Sequence, residues 1–253
     1  ILNTTDFGED VLDKQKERWL FVNLPTIDHR KIGFAQRPLI AQVNPDDYEM
    51  PSSGTTWASP SSTWTKNHAF SASNNDLTPT FLGIDGHCGT SSECKEDKDS
   101  LVWTVLGYNP GNNLSYRTHR LGPIYHSTPT IARAPTSLIR DRGYQSWLNM
   151  LIPSGKFVSK TVKERPTIVY VASNDGVIHA FHADSGLELW GVIPHTVLAK
   201  LRAAVNSSHE DGSRVYTTDG SPLVQDVQLY RHVKNNDVLS KWMTVLIVGF
   251  RAG

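Results

Sequence analysis

Thr167-Ile168-Val169-Tyr170-Val171-Ala172-Ser173-Asn174-Asp175-Gly176-Val177-Ile178-His179-Ala180-Phe181-His182 carries the clearest structural signal in the chain. Residues 167–172 are β-branched and aromatic, the composition of a strand. Ser173 to Gly176 is a tight turn, with Asn, Asp and Gly supplying left-handed conformations. Residues 177–182 form the return strand, and Ala183-Asp184-Ser185-Gly186 is the next turn. Leu187-Glu188-Leu189-Trp190-Gly191-Val192-Ile193 then makes a third strand. Three strands joined by two four-residue turns predict an antiparallel meander. Beyond it, Val197, Leu198, Leu201, Ala204 and Val205 fall at helical spacing, so Thr196 to Val205 reads as a helix after Pro194, with Thr196 as its cap.

The meander has a second, weaker copy in the chain. Residues 165–176 align without gaps on residues 242–253, sharing the apolar pattern and the terminal glycine (Gly176, Gly253). Upstream of each copy lies a second match, Ser127-Thr128-Pro129-Thr130-Ile131 and Gly220-Ser221-Pro222-Leu223-Val224. Two copies of strand, insertion, apolar strand and glycine turn predict two blades of a β-propeller, each a four-stranded meander. The second stops at its first hairpin turn, so the chain reads as part of something longer. Its missing strands must pair with residues 242–253, or that edge would be an exposed template for aggregation. The fold class expected is therefore mainly β, a partial propeller over residues 101–253.

Residues 1–100 read differently. Asp10 to Leu20 carries a modest helical signal, and Pro25, Pro38, Pro45 and Pro51 punctuate the segment after it. Residues 52–65 hold nine Ser or Thr out of fourteen, with Trp57 and Trp64 as anchors onto a neighbouring core. The expectation is loop-rich wrapping with few regular elements, and the mixed charges of Glu93 to Asp99 read as a solvated loop. Cys88 and Cys94 have five residues between them, in a Gly/Ser-rich stretch. A disulfide there would stabilise by roughly 2 kcal/mol and imply an oxidising compartment. Free thiols and a metal site are the other readings, although two Cys with His87 alone fall short of four zinc ligands.

Composition removes whole classes of function. The 253 residues carry 25 basic and 25 acidic side chains, so the electrostatic footprint of a nucleic-acid binder or polybasic membrane anchor is missing. No apolar run approaches the roughly 20 residues of a membrane span. The chain begins without Met and without a signal-peptide pattern, which reads as a mature or clipped product.

The blade from Val169 to Phe181, continued by Asp184-Ser185-Gly186 and Trp190, resembles the repeat of pyrroloquinoline-quinone-type propellers. Within that superfamily it is most similar to the type IV pilus biogenesis and tip-adhesin family, the PilC/PilY group. The likeness runs in order through Arg120-Leu121-Gly122-Pro123-Ile124-Tyr125-His126-Ser127-Thr128-Pro129, then Pro194 and the helix. It continues through Tyr216-Thr217-Thr218-Asp219-Gly220-Ser221-Pro222-Leu223-Val224-Gln225-Asp226-Val227 and ends at Trp242 to Gly253. Roughly residues 101–253 are covered, and residues 1–100 show no likeness. Ala252-Gly253 depart from the family, which continues with more glycine and another strand. The resemblance implies a secreted, non-enzymatic parent exported through the periplasm to the pilus tip. There it would bind minor pilins, promote pilus assembly and attach to host or abiotic surfaces. Its propeller would be completed by the remainder of the same polypeptide. The family's calcium loop has no counterpart here, because no D-x-[DN]-x-[DN]-G occurs, so calcium would belong to another part of the parent. No cofactor is expected in this segment.

The residues themselves offer little catalytic chemistry. A quinoprotein-type dehydrogenase is the enzymatic rival, since it shares the repeat, and a periplasmic assembly scaffold is the third reading. Such dehydrogenases carry a vicinal Cys pair, and Cys88 and Cys94 are not vicinal. Asn174, Asp175, Gly176, Asp184, Gly186, Trp190, Asp219, Gly220 and Pro222 read as structural residues of the repeat, with Trp190 in the core and Asp175 and Asp184 capping turns. His179 and His182 are three apart on a strand, point to opposite faces and cannot share a metal, so solvated or packing roles fit them. His195 reads as helix start, and His119 and His126 flank a strand with no Ser or Asp pattern around them. No G-x-S-x-G, H-E-x-x-H or phosphate loop is present. Asn3, Asn113 and Asn206 open N-x-[ST] triplets of the kind a Ser/Thr-rich chain produces by chance. The long insertions at residues 132–164 and 206–213 are the candidate contact loops.

Overall fold

The computed structural model describes residues 20–22, 70–109, 112–116, 120–136, 138–150, 161–184, 186, 188–206, 215–234 and 237–250. In chain order these form β1 (Leu20–Val22), α1 (Ser91–Leu106), β2 (Tyr108–Asn109), β3 (Asn112–Tyr116), β4 (Thr130–Ala132) and α2 (Arg142–Leu148). Next come a short 3-10 turn (Val162–Glu164), β5 (Ile168–Ala172), β6 (Ile178–His182), β7 (Glu188–Ile193), α3 (His195–Leu198), α4 (Leu201–Asn206), β8 (Pro222–Lys234) and β9 (Asp237–Val248).

The meander is present over the expected residues: β5, β6 and β7 run antiparallel, and β4 joins antiparallel to β5. A fifth strand, β1, pairs in parallel with the outer edge of β7, Leu20 opposite Gly191. Of the helical signal at Asp10–Leu20 only Leu20 is described, and it belongs to this strand. Trp57 and Trp64 lie outside the described residues.

The internal repeat also appears in the strand register. In the first unit Thr130 faces Tyr170, Ile131 faces Val169 and Ala132 faces Ile168. In the second Leu223 faces Ile247, Val224 faces Leu246 and Gln225 faces Val245. The two sequence alignments carry each pair of the first unit onto a pair of the second. The units stack, with Val224 and Leu246 packing on Ala132, Tyr170, Ala180, Leu189 and Trp190. No closed ring of blades is formed by the described residues. The architecture is mixed α/β, a four-stranded antiparallel sheet with a parallel edge strand and two separate antiparallel pairs, β2–β3 and β8–β9, where a mainly β chain was expected.

The main core explains the difference. Phe70, Leu77, Leu82 and Ile84 pack with Leu101, Val102 and Val105 of α1 against Val177, Ile193, Val197, Leu198 and Leu201. The run Glu93 to Asp99, expected as a solvated loop, is helical, and α1 continues through position 100. Its start is fixed by a capping box: Thr90 accepts from the Glu93 amide, and Glu93 accepts from the amides of Gly89 and Thr90. Its end is fixed by Gly107 at φ +99°. Lys98 is buried and donates to the Asn74 carbonyl at 2.9 Å, tying the helix to the preceding loop. The single helix expected over Thr196 to Val205 is two short ones, capped at Pro194 instead of Thr196, because the chain turns at Ala199 and Lys200.

Candidate functional site

The turn at Ser173–Gly176 is where three chain segments converge. Gly176 takes φ +92°, and a Cβ there would overlap Leu201 Cδ2. The Asp175 carboxylate accepts from the amides of Val177 at 3.1 Å and Gly122 at 3.2 Å. The Asn174 amide donates to the Pro123 carbonyl, its side-chain amide donates to the Val215 carbonyl, and its Oδ1 accepts from the Thr217 amide. Thr217 and Thr218 return the contact by donating their hydroxyls to the Asn174 and Ser173 carbonyls. The turn therefore holds residues 120–127 and 215–221, the lead-in segments of both repeat units, in one buried polar knot.

Asp219, also buried, completes the knot. It accepts from the His126 amide at 3.0 Å and meets His126 Nδ1 at 2.5 Å. No acidic neighbour of His126 is visible in the sequence, because Asp219 lies 93 residues away. Next door, Ser127 Oγ accepts from the Ala172 amide. At the equivalent place in the second unit, a Cβ on Gly220 would collide with the Gly249 carbonyl, so only glycine fits that backbone approach. Pro222 opens β8, and its carbonyl accepts from the Thr130 hydroxyl.

Inside the meander, His179 is fully buried and is not one of the solvated histidines. Its Nδ1 lies 2.6 Å from Glu188 Oε1, its Nε2 is 2.7 Å from Ser173 Oγ, and Asp175 Oδ1 is 3.6 Å away. Burial pulls the imidazole toward its neutral form, but Asp175 and Glu188 outweigh it and hold the pKa above the usual 6.5. Serine, histidine and carboxylate in sequence are the parts of a hydrolytic relay. Here Ser173 is fully buried and also bonded to Asp175, so the trio closes the hairpin instead of presenting a nucleophile. His182 points to the other face and is half-buried. His119 and residues 207–213 of the second candidate loop lie outside the described residues.

Of the first candidate loop, residues 137 and 151–160 lie outside the described residues, and part of the rest is structural. Asp141 caps α2 through the Tyr144 amide and accepts from Trp242 Nε1 at 3.0 Å, while the Tyr144 ring meets Trp242 edge-on. Arg165 donates to both carboxylate oxygens of Asp226, to Thr244 and to the Arg133 carbonyl, with Trp147 beneath it. One side of the insertion thus seals the two units together. The other side exposes Leu138, Ile139 and Met150.

Among the remaining residues of the repeat, Trp190 is buried 5.7 Å from Tyr170, Asp184 lies in the second turn, and Gly186 takes φ +71°. Cys88 and Cys94 are joined in a disulfide, Cα atoms 5.2 Å apart, just before and within the first turn of α1. Among the described residues no three His, Cys, Asp or Glu side chains are grouped to hold a metal ion. No helix among them is long and apolar enough to cross a membrane.

The chain is distantly similar to the type IV pilus biogenesis factor PilY1 of Pseudomonas aeruginosa strain UCBPP-PA14, 30% identical over 198 residues. That alignment covers 73% of this chain and 16% of the relative. PilY1 of strain PAO1 is 33% identical over 146 residues, 56% of this chain and 11% of the relative. A PilY1 homologue of Xylella fastidiosa is 26% identical over 141 residues, 56% of this chain and 10% of the relative. The chain thus spans a small part of the length of the relatives it matches. No family model and no solved structure matches it.

Proposed function

We propose that this chain is part of an extracytoplasmic, non-enzymatic protein that works with type IV pili in assembly and surface attachment. The observation that carries the reading is the similarity to PilY1 over 73% of the chain, and the Cys88–Cys94 disulfide is consistent with an oxidising compartment. Physically, a stack of sheet units locked by the 173–176 knot is a rigid platform, and a rigid platform can present variable insertions to partners. The partners proposed are minor pilins at the pilus tip and the surface to which a cell attaches. A further sheet, contributed by the rest of a longer polypeptide, would continue the stack as a propeller. The insertion at residues 132–164, with that at 206–213, is the proposed contact region.

The test is genetic. A strain producing the parent protein with the solvent side of the first insertion made polar should lose pilus co-purification or surface attachment. Unchanged pili and unchanged attachment with both insertions altered would sink the reading.

A further inference from the structure

Glu188, His179 and Ser173 are buried in a row, and what each group can donate fixes the order of their hydrogen bonds. Glu188 Oε1 lies 2.6 Å from His179 Nδ1, and Ser173 Oγ lies 2.7 Å from Nε2 on the other side of the ring. A carboxylate accepts and does not donate, so the Nδ1 hydrogen faces Glu188 whether the ring is charged or neutral. The proton that comes and goes is therefore the one on Nε2, facing Ser173.

Ser173 has one hydroxyl proton and three acceptors in reach, the Asp175 carboxylate, His179 Nε2 and the Val177 carbonyl at 3.4 Å. That carbonyl already accepts from the Ser173 amide at 3.0 Å. When Nε2 is protonated the ring donates to Ser173 Oγ, and the hydroxyl proton goes to Asp175 Oδ1. When Nε2 is bare the hydroxyl proton turns to the ring, and Asp175 Oδ1 loses that donor.

Asp175 passes the change to the backbone. Its Oδ2 accepts from the Gly122 amide at 3.2 Å, and a Cβ on Gly122 would lie only 2.6 Å from Asp175 Cβ. The lead-in segment of the first unit thus rests directly on this carboxylate. Asp175 of the turn and Glu188 of β7 are the charged groups that act on the ring. Phe181, stacked on the imidazole with centroids 5.6 Å apart, brings no charge.

We propose that Glu188, His179, Ser173 and Asp175 form a proton-responsive latch on the lead-in segment. Protonation of His179 directs the Ser173 hydroxyl to Asp175 and firms the hold of Asp175 on Gly122, and deprotonation loosens it. Burial works against the charged ring, but Asp175 and Glu188 prevail. The latch is therefore closed at pH 6.5 and opens as pH climbs through the higher value of the folded protein. It does not depend on the pilus reading.

The test is a pH titration of the full 253-residue chain by heteronuclear NMR, following the His179 ring nitrogens and the Gly122 amide together. Nε2 is expected to titrate with a midpoint above 6.5, and the Gly122 amide to shift with the same midpoint. Exchange of that amide, corrected for its intrinsic rate, should be about five-fold faster on the alkaline side. Glu188→Gln removes one carboxylate and should carry both midpoints to lower pH together. Ser173→Ala removes the relay, so the ring should still titrate while Gly122 loses its response. Circular dichroism matching the parent establishes that each variant is folded, and should Ser173→Ala fail to fold, the Glu188→Gln midpoints decide. A Gly122 response that survives in folded Ser173→Ala is a field effect of the ring and overturns the proposal. Midpoints that separate in Glu188→Gln, or a His179 ring that does not titrate between about pH 5 and 10, overturn it as well.

Discussion

At His179 the cost of burial is outweighed by Asp175 and Glu188, which hold the imidazole toward its charged form. Its folded pKa is raised above 6.5, so the stabilisation it brings is complete below that value and is lost as pH climbs through the folded pKa. Denaturant midpoints measured from pH 6 upward should therefore fall, and His179→Gln should flatten the profile. The same substitution removes the cation facing buried Glu188 and should lower stability by about 3 kcal/mol. At Gly220 the limit is space, not charge. Gly220→Ala drives a methyl into the Gly249 carbonyl and should cost about 3 kcal/mol in equilibrium unfolding, whereas Gly86→Ala, with open space around it, should cost little. Of these residues, the turn glycine and Asp175 are legible in the sequence because turn chemistry is local. The partners His126–Asp219 and Arg165–Asp226 are not, since no short-range pattern encodes a contact 93 or 61 residues away.

Elements show the same division between local and distant information. The meander can be read because alternation, β-branching and turn residues agree over one short window. Helix α1 escapes such a reading because its first two turns are almost wholly polar, and the apolar residues that reach the core, Leu101, Val102, Val105 and Leu106, lie near its end. Its disulfide spans the cap. Replacing Cys88 and Cys94 by Ser should lower stability by about 2 kcal/mol, measured against the oxidised parent in denaturant. The first insertion reads from sequence as a contact loop, yet α2 within it is bolted to β9 through Trp242. Trp242→Ala should cost about 2 kcal/mol, the half-buried side chain placing it below a full core truncation. Trp242→Phe, which keeps an aromatic ring but loses the bond to Asp141, should cost about 1 kcal/mol.

Across the molecule as a whole, the repeat predicts an uncovered face. Thr130, Ala132, Ile168 and Tyr170 form the face by which the first unit meets the second, with Ala132, Ile168 and Tyr170 in their shared core. Their counterparts in the second unit are Leu223, Gln225, Val245 and Ile247, and there Leu223 and Ile247 are 54% and 58% exposed. A head-to-tail stack leaves such a face at its growing side, where a following sheet of a longer polypeptide would cover it. The direct measurement is thiol alkylation of Ile247→Cys, in this chain and in the same chain extended to the length of its PilY1-like relatives. Cys88 and Cys94 are paired and do not compete. Stacking predicts rapid labelling in the 253-residue chain and labelling at least about ten-fold slower in the extended one, as burial in a sheet interface requires. Equal rates in both would contradict the stacked-sheet arrangement.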